Sequence, residues 1–241
     1  MHGSSSSPPA VVLVHGAFAD ASLWAEVVSL LHADGLTVRA PANPLRGLAQ
    51  DAAHIRSMLR DIDVPVVLVG HDYGGAVITQ AAADNVVALC YVAAFGLDAG
   101  ECVLDVTNRF APAPVADATV TAALPARIPG GPDHELYIRK ELFPQVYAAD
   151  LPPGVRELLS VVQRPIACSA LTGRSGPPAW TSVPSWYAIA TADRVLNPTA
   201  QRFMAQRMAA TEYVLDGSHA VALSQPDAVV AMIREAAGRG R

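Results

Sequence analysis

Lysine is nearly absent from this chain of 241 residues: Lys140 is the only one, and arginine supplies almost all basic charge. With Lys+Arg at 17 against Asp+Glu at 22, the formal net charge is −5, which leaves no basic footprint for nucleic acid. In so alanine-rich a sequence the arginine bias reads as a coding preference more than a functional one. Charged residues are only 16% while hydrophobic ones reach 51%, which excludes a disordered chain. Cysteine is scarce as well. Cys90, Cys102 and Cys168 have neither paired nor metal-ligand spacing, so no disulfide framework, metal or other cofactor is expected. Cys90 lies in an apolar run and reads as a small buried residue. There is no run of eighteen apolar residues, hence no expected membrane span or membrane partner. Residues 1–9 have no apolar signal core and read as a flexible leader or cloning remnant. Together these absences point to the cytoplasm.

The length suits one domain with a small insertion and ample core. Strand-like runs are expected at Val11–Val14, Thr37–Ala40, Val66–Val69, Val87–Val92, Trp186–Ala190 and Tyr213–Leu215. Helical patterns fall between them, at Ser22–Ala33, Leu48–Leu59, Gly75–Ala83, Pro198–Met208 and Pro226–Ala237. This alternation predicts an α/β fold: a mostly parallel sheet of about six strands with helices on both faces. The alternation fails between residues 97 and 180, where proline and glycine are frequent and two or three short helices are the most the pattern supports. That stretch is expected as a small helical lid inserted into a core of residues 10–96 and 181–241. It would lie over the carboxyl ends of the strands and wall an apolar pocket for a small molecule.

The most informative segment is Gly70-His71-Asp72-Tyr73-Gly74-Gly75, between the run Val66–Val69 and an alanine-rich helical stretch. Strand, sharp turn and helix with glycines on both sides of one reactive residue is the geometry of the G-x-S-x-G elbow. Here the reactive position holds aspartate. At a helix N-terminus, free amides and the helix dipole favour its ionised form, and a carboxylate there can attack carbon.

Three further pieces fit. His15-Gly16-Ala17-Phe18 ends the first strand, where acyl-transfer enzymes place a backbone donor for a developing oxyanion; Ala17 N–H is the expected donor and Tyr73 N–H the second. The bland alternative is a strand-ending turn with a structurally bonded histidine. Asp193 follows the run Trp186–Ala190 and could orient a histidine, although a loop or capping carboxylate is the common fate of aspartate. His219 follows the last strand and completes the order nucleophile, acid, histidine with Asp72 and Asp193. His2, His32, His54 and His134 are left as packing or surface residues.

These residues resemble the α/β-hydrolase superfamily from about Ala10 to Ala237. Val11–Trp24, with His15-Gly16-Ala17 and Trp24, is similar to the short esterase and hydroxynitrile-lyase branch, whereas the elbow is similar to that of epoxide hydrolases and haloalkane dehalogenases. The resemblance implies the fold, the three catalytic positions and a pocket for small, mostly apolar substrates. Tyr73 stands where dehalogenases often carry tryptophan, which weakens that reading; Phe18 stands where epoxide hydrolases commonly carry proline. An Asp-nucleophile hydrolase acting on an epoxide through an alkyl-enzyme ester is the leading expectation, with Phe18, Tyr137 and Tyr147 as candidate substrate contacts. An esterase or lactonase whose serine is replaced by Asp72, a binding protein without turnover, and a non-hydrolytic reaction with Asp72 as base remain open. The chain is expected as a monomer or homodimer.

Overall fold

In the computed structural model, which describes residues 8–124 and 134–239, each expected apolar run of the core is a strand. The leader expected over 1–9 lies, apart from Pro8 and Pro9, outside the described residues. β1 (Ala10–Val14) is followed by a 3₁₀ turn and α1 (Ala25–Ala33), then β2 (Val38–Arg39), α2 (Leu48–Leu59), β3 (Val66–His71), α3 (Tyr73–Ala81) and β4 (Val86–Val92). After the inserted segment come β5 (Ser185–Ala190), α4 (Pro198–Arg207), β6 (Thr211–Leu215), α5 (Val221–Ser224) and α6 (Pro226–Arg239). The six strands form one sheet in the order β2-β1-β3-β4-β5-β6, and every pairing is parallel.

β1 and β3 are buried along their whole length, which is why they read as unbroken apolar runs instead of alternating ones. Each such valine or leucine contributes about 1.5–3 kcal/mol of transfer free energy against the unfolded chain. α2 buries Leu48, Ala52, Ile55 and Leu59, a stripe at helical spacing that faces the core. α4 starts where Asn197 accepts from Thr199 N at 2.8 Å, with Pro198 in the first turn, where its missing N–H costs nothing. Right-handed crossovers put α2 and α3, which pack together, on one face, and α1, which packs against α6, on the other. The chain leaves β1 toward β2 but leaves β3 toward β4, so the strand order reverses between β1 and β3. In open α/β sheets such a reversal is where ligands bind, at the carboxyl edge of the strands.

Three expectations change. The helix expected over Ser22–Ala33 begins as a 3₁₀ turn at Ala21–Trp24, and the one expected over Gly75–Ala83 begins earlier, at Tyr73. The inserted segment is not purely helical. Besides several short helices it holds three antiparallel strands, Thr119–Ala123, His134–Ile138 and Ile166–Ala167, with His134–Ile138 in the middle. None has a long β-branched run, and the last is only two residues, so their order comes from pairing between distant segments.

Candidate active site

Asp72 sits on the turn from β3 to α3 with φ 50 and ψ −124, a left-handed conformation that costs of order 1–3 kcal/mol for a side chain with a Cβ. Close packing holds it there. A Cβ on Gly74 would come within 2.3 Å of Val14 O, so only glycine lets α3 start this close to β1. Gly75 N and Phe95 N both donate to Asp72 O at 3.0 Å, fixing the turn from two sides.

The Asp72 side chain does not cap its own helix. It turns back to the β1 loop, where Oδ2 accepts from Ala17 N at 2.7 Å. One of the two amides expected as oxyanion donors, Ala17 N, thus meets an oxygen of residue 72 itself, and the Tyr73 amide favours the charged form of the same carboxylate. The carboxyl group is only 3% exposed. Burial raises its pKa above the usual carboxylate value, and His219 together with the Tyr73 and Ala17 amides offsets part of that rise. The expected preference for ionisation at the helix start is therefore outweighed by desolvation.

Asp193 and His219 reach the same place from the ends of β5 and β6. His219 Nδ1 donates to Asp193 Oδ2 at 2.7 Å, and His219 Nε2 lies 3.7 Å from Asp72 Oδ1, beyond a direct hydrogen bond. With the ring proton on Nδ1, the Nε2 lone pair faces the carboxylate. Burial alone would lower the His219 pKa, but the charge and hydrogen bond of Asp193, with the charge of Asp72, carry it above 6.5. Asp193 is held in turn. Its Oδ1 accepts from Val195 N at 2.7 Å and Leu196 N at 3.0 Å, and its Oδ2 accepts from Gln201 Nε2 at 2.7 Å. The loop-carboxylate role weighed for this aspartate is thus met by the same group that orients His219.

Other residues build the frame. His15 is the structurally bonded histidine of the bland reading: Nδ1 donates to Gly16 O at 3.0 Å, and Asn43 N donates to Nε2 at 2.9 Å. This fixes the loop that presents Ala17. Tyr73 donates its hydroxyl to the buried Asp51 at 2.8 Å, so its phenol anchors the elbow instead of facing a substrate. Phe18 is buried with φ 58, and its amide donates to Arg164 O of the inserted segment at 2.9 Å. Tyr147 packs edge-on against His219, with ring centroids 4.9 Å apart, and its hydroxyl lies 3.4 Å from Ala17 O. Tyr137 is not brought to this cluster by its hydroxyl, which donates to Glu135 Oε1 at 2.7 Å.

Three contributors escaped the sequence reading. His71 donates from Nε2 to His219 O at 2.9 Å and packs its ring 4.5 Å from that of His219. Gln201 orients Asp193 from α4, and Asp51 holds Tyr73. His71 was legible only as part of the elbow motif. A polar residue on the core-facing side of a helix was the available signal for the other two. Among the described residues, no group of three His, Cys, Asp or Glu side chains is arranged to hold a metal ion, and no helix is long and apolar enough to cross a membrane.

The model of the family described as the alpha/beta hydrolase family matches residues 11–232. Solved structures with the same architecture include polyneuridine aldehyde esterase, at 18% identity and TM-score 0.83 over 95% of this chain and 99% of that one. They also include the methylesterase MES16 from Arabidopsis, at 22% identity and TM-score 0.77 over 95% and 99% of the two chains. A pyrethroid hydrolase from Sphingobium faniae JZ-2 aligns at 23% identity and TM-score 0.77, over 95% and 97%. At such identities the likeness shows the fold alone. A search of curated protein sequences gives no match.

Proposed function

The chain belongs to the alpha/beta hydrolase family, and from that premise we propose that it hydrolyses a small apolar epoxide, with Asp72 as nucleophile and an alkyl ester as intermediate. The observation that carries this is the seating of the carboxylate: Oδ2 accepts from Ala17 N at 2.7 Å while Oδ1 faces His219 Nε2 at 3.7 Å. A serine enzyme keeps its pair of amides open for the carbonyl oxygen of the substrate. Here the Ala17 amide holds Oδ2 of residue 72, the atom that becomes the ester carbonyl once Oδ1 is alkylated. The raised basicity of a buried carboxylate also favours attack on carbon.

In the first step Oδ1 bonds to an epoxide carbon, the ring C–O bond breaks, and the new alkoxide takes a proton from Tyr147. Burial pushes the Tyr147 hydroxyl well above its usual pKa, so it keeps its proton until a base as strong as an alkoxide forms. In the second step His219 Nε2 takes a proton from water, and the water oxygen bonds to Cγ of Asp72. The Ala17 and Tyr73 amides hold the negative charge that develops on Oδ2. Collapse breaks the Cγ–Oδ1 bond, and the departing oxygen takes the proton from His219. The proton left on Asp72 returns to the Tyr147 phenolate. The sum is epoxide plus water giving a diol. General-base help of this kind is worth about 10²–10⁴-fold.

The test offers styrene oxide and aliphatic epoxides in ¹⁸O-water under single-turnover conditions. Heavy oxygen should enter Asp72 first and the diol only on later turnovers, and His219→Ala should accumulate a covalent adduct on Asp72. Absence of both diol and adduct across the set refutes this reading.

A second reading, an esterase or lactonase whose serine is replaced by Asp72, is favoured by neighbours that are themselves named esterase and methylesterase. Asp72→Ser would vacate the amide pair for a substrate carbonyl. Strong gain of hydrolysis on aryl esters supports this second reading, and no gain removes it.

A further inference from the structure

The loop that carries His219 is fastened to the lid on both sides of the histidine. Ser218 N donates to Asp150 Oδ2 at 2.9 Å, and Ser218 Oγ donates to Asp150 Oδ1. On the other side Ala220 N donates to Tyr147 O at 3.0 Å, and Ser218 Oγ lies 3.2 Å from the same carbonyl. The histidine between them has its own carbonyl taken by His71. Tyr147 and Asp150 lie in the connection, residues 147–152, between two helices of the inserted segment, Phe143–Val146 and Pro153–Val162, and the ring of Tyr147 packs edge-on against the imidazole. The space beside Gly217 is tight as well: a Cβ there would lie 3.2 Å from Asp150 Oδ2 and 3.0 Å from Val221 Cγ2.

We propose that Asp150 is a positioning residue for His219, fastening the histidine loop to the segment at residues 147–150 so that the base is held in place; this rests on His219 acting as the water-activating base. The chemistry of the pair fits the role. An ionised carboxylate is acceptor-only, and Ser218 offers it two donors, the amide and the hydroxyl. Burial alone would raise the Asp150 pKa, but the Ser218 bonds hold it lower, so it stays an acceptor at neutral pH. Asp72 is held independently of this clamp, through Ala17 and the elbow turn. Tyr147, the acid of the first step, lies on the same segment, so loosening the clamp should slow the hydrolysis of the Asp72 ester more than its formation.

Three variants decide it. Asp150→Ala removes both acceptors and should slow ester hydrolysis about 10- to 100-fold, the usual effect of a catalytic group displaced by about an ångström. The Asp72 adduct should then accumulate in intact-protein mass spectra with styrene oxide, its decay slowed more than its formation. Ser218→Ala keeps the amide bond but loses the hydroxyl bond, and should fall between the two. Asp150→Asn should restore hydrolysis, since Oδ1 can accept from the Ser218 amide while Nδ2 donates to Oγ, which turns its proton to Tyr147 O. A second readout needs no substrate: the low-field proton NMR signal of His219 Nδ1–H should broaden by exchange in Asp150→Ala and sharpen again in Asp150→Asn. Wild-type hydrolysis and an unchanged low-field signal in folded Asp150→Ala overturn the clamp. If His219→Ala forms no adduct, the displacement chemistry fails, and the NMR signal still decides the clamp by itself.

Discussion

Gly16→Ala tests the seating of Asp72 without touching any ionisable group. Gly16 is outside the left-handed backbone region, so alanine is acceptable to the main chain, and the conflict is purely one of space. A Cβ built on Gly16 would lie 2.4 Å from Asp72 Cβ, 2.5 Å from Asp72 Oδ2 and 2.7 Å from His71 O. Ordinary contact begins near 3.4 Å, so the loop and the elbow must part by about 1 Å. None of the three atoms is the far end of a flexible chain. Overpacking of this kind costs about 1–3 kcal/mol, and for a domain of this size each kcal/mol lowers the Tm by roughly 2–4 °C. The same displacement stretches the Ala17 N to Oδ2 bond, now 2.7 Å, and should cost about 100-fold in ester hydrolysis. Thermal melts and single-turnover decay of the styrene oxide adduct measure the two effects separately. A variant with wild-type Tm would show that Asp72 does not rest against this loop. A lowered Tm with unchanged decay would show that the Ala17 amide does not stabilise the oxyanion.

Two other outcomes are expected. Gln201→Leu strips Asp193 Oδ2 of a 2.7 Å donor and leaves Ala190 N without its acceptor; each buried orphan costs about 1–3 kcal/mol, and an unchanged urea midpoint would remove Gln201 from the framework. In the free enzyme the charges of Asp193 and Asp72 raise the His219 pKa; in the ester only Asp193 still does, and because the free base is lost as pH falls through the histidine's pKa, adduct hydrolysis should decline on an acid limb. Asp193→Asn removes the charge that raises the pKa and leaves burial to lower it, so the limb of a much slower reaction should move to lower pH; a limb that stays in place assigns it to another group.

The elbow and the oxyanion loop lie side by side for a reason that reaches back to topology. β1 and β3 are neighbours while their following helices leave in opposite directions. The loops after these two strands therefore meet at the carboxyl edge of the sheet, and the glycines on each side let them touch. The buried carboxylate of Asp51 belongs to the same scheme. Burial raises its pKa, and the Tyr73 hydroxyl with the Gly47 and Arg46 amides partly compensates. Arg46 also pairs with Glu135 of the lid at 2.9 Å, so the elbow is tied to the lid from this side too.

The core strands and helices were readable because burial on both faces leaves an unbroken apolar run, and burial on one face leaves a helical stripe. The run Val66–Val69 and the stripe of α2 needed no knowledge of partners. Asp72, Asp193 and His219 could be named because each follows such a run. The inserted strands were missed because they are short and gain their order only from one another.

What the tertiary structure alone decided are the contacts between residues far apart in the chain. Ala17 and Asp72 meet across 55 residues, Ser218 and Asp150 across 68, and His71 and His219 across 148. No local periodicity encodes which amide a carboxylate oxygen will find, or which lid residue will hold the loop of a histidine. Chain composition and local pattern chose the strands, the turn and the reactive side chain. Packing of the finished sheet and lid chose the partners that orient them, because a buried polar group takes whichever donor or acceptor the fold carries to it.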